Sequence, residues 1–197
     1  MTRAVSVRPE TSRSSVRPVV PNTSAIDTII QSSTVELMRS HRLSVAPRPR
    51  VEMVGFVPEN ADVAGVVGFH GPNIGGSLTL AVPVAVYDLM THRGAHNTTY
   101  SEWVYELTNQ VMGHIKNRLI QFQVKLRTHV PIVLSGAALE RHKRRTADEV
   151  VYRFGTLREE IAVAVDASLT RAILEYSNAS LLIRGSDLLL FDDPADP

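Results

Sequence analysis

Two side chains in this sequence stand at a spacing that lets them work together. Glu106 and Asn109 lie three residues apart in the run SEWVYELTNQVMGHIKNRLI that follows Tyr100. Without a metal, a nucleophile or a cofactor such a pair can do little covalent chemistry. It can position: a carboxylate pairs with a cation, and an amide both donates to and accepts from a water molecule. The helical steps of three and four extend the pair into a file of Glu102, Glu106, Asn109, Gly113 and Lys116, polar throughout apart from its glycine. A glycine inside a helix costs about 1 kcal/mol relative to alanine. Close approach by something large would be a reason to keep Gly113, either a partner or a neighbouring strand or helix of the same chain. Glu102 has a structural role of its own, because Thr99 three residues earlier makes a capping box with it. It is set aside as a catalyst.

The element that must carry this file is the helix expected over Tyr100 to Ile120. Val104, Leu107, Val111, Ile115 and Leu119 recur at steps of three and four and form one apolar stripe, which must face a core. Ahead of it, a helix is expected from an N-cap at Thr23 or Ser24 to about Ser40, with Ile26, Ile29, Ile30, Val35 and Met38 on its apolar face. It carries no Glu-x-x-Asn. The proline-broken VAPRPR should then lead into a strand over Val51 to Val57. AGVVGFHG, PNIG and GSLTLAVP read as strand, turn and strand, with Leu78, Leu80 and Val82 alternating. The glycines here do not make a phosphate loop, since a strand follows them where such a loop needs a helix. VAVYDLMTHRG reads as a short helix entered at Pro83 and ended by Gly94.

After the long helix the pattern repeats. Val124 to Leu134 reads as a strand interrupted by Pro131, and Val150 to Phe154 pairs with Glu160 to Val165 across a turn near Gly155 and Thr156. Helix, three strands and a short helix are thus followed by helix and three strands. The expected fold class is α/β (α+β), a pseudo-twofold sandwich with an antiparallel or mixed sheet and two long helices packed on it.

Glu106-Leu-Thr-Asn109 followed by Gly113 resembles the Glu-x-x-Asn-x-x-x-Gly signature of the CheC/CheX/FliY family of chemotaxis phosphatases, which dephosphorylate the response regulator CheY. The glycine hairpin before the motif and the proline-containing strand VKLRTHVPIVLSG after it also fit. Glu102 stands where the family usually has Asp or Ser, a longer acid that can still cap or line the site. One copy of the motif resembles CheX, in contrast to the two-copy CheC. The resemblance implies a phosphatase for the aspartyl phosphate of a CheY-like response regulator. Asn109 would enter the regulator's site and hold the attacking water, and Glu106 would pair with that site's lysine. Gly113, Glu102 and Lys116 would contact the partner. No cofactor of its own is implied; the Mg²⁺ belongs to the regulator. CheX-like members tend to be dimers, so a homodimer is also implied. The alternative is a non-catalytic CheC/FliM-like docking module, against which the presence of both motif residues argues.

Composition is compatible with this. The 197 residues suffice for one domain with tails, and the hydrophobic fraction of 44% is that of a globular protein. No apolar run has the length to cross a bilayer, and no membrane partner is expected. With no signal-peptide core either, the cytoplasm is the expected compartment. Zero cysteines exclude disulfides and thiol catalysis, and a formal charge of +1 gives no steering toward nucleic acid. His92 and His96 have a metal-like spacing but no third ligand, so no metal site is expected. Arg141, Lys143, Arg144 and Arg145 read as an exposed hairpin loop over Glu140 to Thr146; with no aromatic residues for base stacking, nucleic acid is set aside as a partner. By organisation, residues 1–22 read as a disordered basic arm, 23–170 as the CheX-like domain, 171–191 as an apolar extension packing on the domain or a dimer partner, and 192–197 as a loose acidic tail.

Overall fold

The computed structural model describes residues 25–48, 61–72, 74–91, 98–143, 149–166 and 169. In chain order these form α1 (Ala25–Ser40), β1 (Ala46–Pro47), β2 (Val63–His70), β3 (Gly75–Ala81), α2 (Val84–Thr91), α3 (Tyr100–Leu119), a 3-10 turn (Ile120–Phe122), β4 (Arg127–Thr128), β5 (Ile132–Ser135), α4 (Gly136–Lys143), β6 (Glu149–Gly155) and β7 (Glu160–Asp166). The basic arm, the caps proposed at Thr23 and Ser24, the strand expected over Val51 to Val57, Gly94, His92, His96, Arg144, Arg145, and both C-terminal segments lie outside the described residues.

The strands make one seven-stranded sheet in the order β1-β6-β7-β3-β2-β4, with β5 also on β2. Every pairing is antiparallel. Two hairpins, β2–β3 and β6–β7, are local, and the β3–β7 pairing joins them through Leu78–Val165, Thr79–Ala164, Leu80–Val163 and Ala81–Ala162. Each half then lends its first strand to the other. β1 adds to β6, and the interrupted β4 and β5 add to β2. The order is a palindrome about the β3–β7 seam, which is the expected pseudo-twofold written in strand pairings.

Both long helices lie on one face. α1 buries Ile26, Ile29, Ile30, Leu37 and Met38, and α3 buries all five residues of its stripe together with Trp103 and Met112. Val35, expected on the apolar face of α1, is only half-buried, and Leu37 takes that place. Asp27, also buried on α1, accepts a hydrogen bond from the Tyr152 hydroxyl of β6, so a buried carboxylate ties that helix to the sheet. Across the helix interface Arg118 of α3 pairs with Glu36 and donates to the Ser32 hydroxyl on α1.

The opposite face is made of small residues. Ala61, Ala64, Ala81, Ala162 and Ala164 cluster around Leu139 of α4. Thr79 and Ala81 are therefore as buried as Leu78 and Leu80, because β3 is central and covered on both sides. This corrects the exposed loop expected over Glu140 to Thr146 in its described part, Glu140 to Lys143. Gly136-Ala-Ala-Leu139 starts a helix that seats Leu139 on the alanines, and His142 hydrogen-bonds Thr79 Oγ1 at 3.0 Å. Its basic residues fall in its last turn, where they suit the negative end of the helix dipole. Pro131 acts as expected: the strand it interrupts is seen as β4 and β5, both on β2.

Candidate functional site

α3 is set rigidly before any of its polar residues is considered. Thr99 is its N-cap: the threonine hydroxyl accepts from the Glu102 N–H, while Glu102 Oε2 accepts from the Thr99 N–H at 2.7 Å. The Thr99 N–H, and after it the Thr99 hydroxyl, which donates to Oε2 at 2.8 Å, hold the Glu102 carboxyl below its usual range. Tyr100 donates its hydroxyl to the Val82 carbonyl, and Tyr87 of α2 stacks at a tilt against Tyr100 and Trp103.

One turn further on, α3 meets the sheet at a glycine, with the Thr108 side chain filling the space a side chain of β2 would take. A Cβ built on Gly65 of β2 would stand 2.0 Å from Thr108 Oγ1, 2.9 Å from Thr108 Cβ and 3.2 Å from the Val104 carbonyl oxygen. Thr108 is wholly buried there, its hydroxyl satisfied by the Val104 carbonyl at 2.7 Å. Successive helix residues turn by about 100°, so driving Thr108 into the sheet sends Asn109 outward. The glycine on β2 thereby orients the amide on α3.

The predicted file follows. Glu102, Glu106 and Asn109 are exposed, and Gly113 and Lys116 are half-buried. All five keep one helical face, yet they differ in what holds them. Glu102 is committed to the cap. Glu106 Oε1 accepts from Gln110 Nε2 at 2.8 Å. Neither Asn109 nor Lys116 has a side-chain hydrogen bond or ion pair among the described residues. Around Gly113 the space is open, with nothing within 4 Å of an added Cβ. Among the described residues, then, no neighbouring strand or helix packs closely on Gly113.

Two residues near the file escaped the sequence reading. Gln110 could have been found from its i, i+4 spacing to Glu106. His41, whose Nε2 lies 2.9 Å from Gln110 Oε1, is 69 residues away and left no local signal. On the same flank half-buried His114 has its pKa lowered, first by desolvation and then by the Arg118 guanidinium, with Glu36 opposing. The sign is that of a histidine kept neutral by folding. As pH falls below about 6.5, the unfolded chain takes up this proton before the folded one does, so stability drops until the depressed folded pKa is passed. Above that window His114 contributes nothing. Denaturant melts at stepped pH should show this slope in the wild type and a flatter one in His114→Gln; an identical slope in both would assign it elsewhere.

Among the described residues no helix is long and apolar enough to cross a membrane, and no cluster of three or more histidine, aspartate or glutamate side chains is arranged to hold a metal ion.

Residues 63–155 match the family model described as chemotaxis phosphatase CheX. The structure is similar to CheX from Vibrio vulnificus, with a TM-score of 0.57, 18% identity, and 73% of this chain and 97% of that chain covered. CheX from a Desulfovibrio desulfuricans subspecies gives 0.56 and 18%, covering 71% and 97%. The CheX–CheY–BeF3–Mg²⁺ complex from Borrelia burgdorferi gives 0.51 and 13%, covering 71% and 95%. No curated protein matches the chain significantly.

Proposed function

Since the chain belongs to the CheC/CheX/FliY family, we propose that it dephosphorylates the aspartyl phosphate of a CheY-like response regulator, with Asn109 positioning the attacking water. The observation that carries this reading is the state of α3: one face wholly buried, the other presenting an unpartnered amide at Asn109, a carboxylate at Glu106 and open space at Gly113. Fixed groups beside an unobstructed surface suit insertion into another protein's site. A CheX protein is found complexed with CheY bearing BeF3 and Mg²⁺, which supports the partner class.

In the reaction, water attacks phosphorus in line and the aspartyl oxygen leaves, giving free phosphate and a regenerated carboxylate. The regulator supplies its own Mg²⁺ and its phosphorylated aspartate. What remains is to hold one water on the attack line and keep others out. The Asn109 carbonyl accepts from that water, and its amino group is free to donate to an oxygen at the reacting centre. Glu106 pairs with the regulator's lysine and fixes the approach. Neither side chain changes protonation state or becomes covalently modified.

The test is the decay of a phosphorylated CheY-like regulator from the same organism with and without this protein. Acceleration supports the reading. Binding of the regulator without acceleration would make the protein a docking module on a phosphatase fold.

Gly113 gives a second, independent check. Its backbone is helical and nothing crowds a Cβ, so Gly113→Ala should raise stability by up to about 1 kcal/mol. The same methyl stands on the partner surface and should weaken regulator binding. A stabilised variant with unchanged affinity would remove Gly113 from the interface.

A further inference from the structure

An exposed glutamate on a helix samples several rotamers, and a carboxylate that must meet one cation on a partner loses affinity to that freedom. Glu106 does not have it. Its Oε1 accepts from Gln110 Nε2 at 2.8 Å, and Gln110 Oε1 lies 2.9 Å from His41 Nε2. Each hydrogen position in this chain follows from its neighbour. A carboxylate only accepts, so the Gln110 amino group must face Glu106; the Gln110 carbonyl is then left for His41, whose Nε2 must carry a proton.

His41 is itself held by the way α1 stops. Leu43 N–H donates to the Met38 carbonyl at 2.9 Å and Arg42 N–H to the Arg39 carbonyl at 2.8 Å, with Arg42 at φ 60°, which is a Schellman stop. Leu43 is buried and locks the turn to the core. The end of α1 thereby braces a carboxylate on α3, and Glu106 Oε2 is left without a partner among the described residues.

We propose that Gln110 and His41 are positioning residues for Glu106, holding its carboxylate ready for the cation of the regulator. This rests on the phosphatase reading above and adds two residues from outside its motif. The effect belongs to partner binding and not to the bond-breaking step, because Asn109 is untouched.

The experiment uses the full chain and a CheY-like receiver domain from the same genome, loaded with beryllofluoride and Mg²⁺ for affinity and phosphorylated for turnover. Gln110→Met keeps the length and packing of the side chain and removes both hydrogen bonds. It should raise Kd and KM about three- to tenfold, the cost of freeing one or two rotamer-rich side chains, with kcat unchanged within about twofold. His41→Leu should do the same, and His41→Gln, which restores an N–H donor, should recover the wild-type Kd. In a Glu106→Ala background Gln110→Met should have no further effect. A Gln110→Met protein with wild-type Kd, or an effect that persists without Glu106, overturns the positioning role while leaving the phosphatase reading in place. A wild-type protein that neither binds nor dephosphorylates the receiver overturns both.

Discussion

Replacing Asn109 with alanine should abolish acceleration of receiver-phosphate decay, a loss of about 100-fold or more, and return the rate to that of the regulator alone. The size follows from the division of labour. On the proposed reading the regulator brings the metal and the leaving group, the amide of Asn109 fixes the attacking water, and no second exposed amide stands in the file of Glu102, Glu106, Gly113 and Lys116 to replace it. Stability should move the other way. Asn109 is exposed and its side chain has no partner among the described residues, so alanine improves helix propensity by up to about 0.7 kcal/mol at no packing cost. Single-turnover decay and a denaturant melt on one preparation test both statements. An Asn109→Ala protein that still accelerates decay would show that the water is held elsewhere. A poorly folded one would show that Asn109 has a structural task that the exposed surface does not reveal.

Gly65→Ala should be the most destabilising single-methyl change in the described part of this protein, by about 3 kcal/mol, because it overpacks a closed interface. The added carbon would stand 2.0 Å from Thr108 Oγ1 and 3.2 Å from the Val104 carbonyl oxygen. The hydroxyl could swing only by giving up its buried bond to Val104, and the backbone of α3 cannot retreat without opening the stripe from Val104 to Leu119. A shift of α3 also rotates Asn109, so phosphatase activity should fall even at temperatures where the variant stays folded. Gly65→Ala with Thr108→Ala separates the two effects, since removing Oγ1, the atom at 2.0 Å, restores part of the room. If Gly65→Ala melts like the wild type, the contact between α3 and β2 is looser than described. The contrast with Gly113 is direct: a Cβ at Gly65 would meet Thr108 at 2.0 Å, whereas one at Gly113 would meet nothing within 4 Å among the described residues.

Much of this could be read from the chain alone because it is local. The apolar stripe of α3, the Thr99–Glu102 box, the two hairpins and the interruption at Pro131 all depend on residues within a few positions of each other, and periodicity and turn chemistry report such contacts. Glu106, Asn109 and Gly113 were legible for the same reason, since a helix turns any steps of three and four into one file. The palindromic β3–β7 seam, the clasp of Thr108 over Gly65, the seat of Leu139 among the alanines and the reach of His41 to Gln110 were not. Each joins segments far apart in sequence, where one glycine, alanine or histidine looks like any other until the partner arrives. The sequence by itself therefore determined which residues share the exposed face of α3. Only the tertiary structure decided how firmly that face is held, and that a Cβ at Gly113 would meet nothing within 4 Å among the described residues.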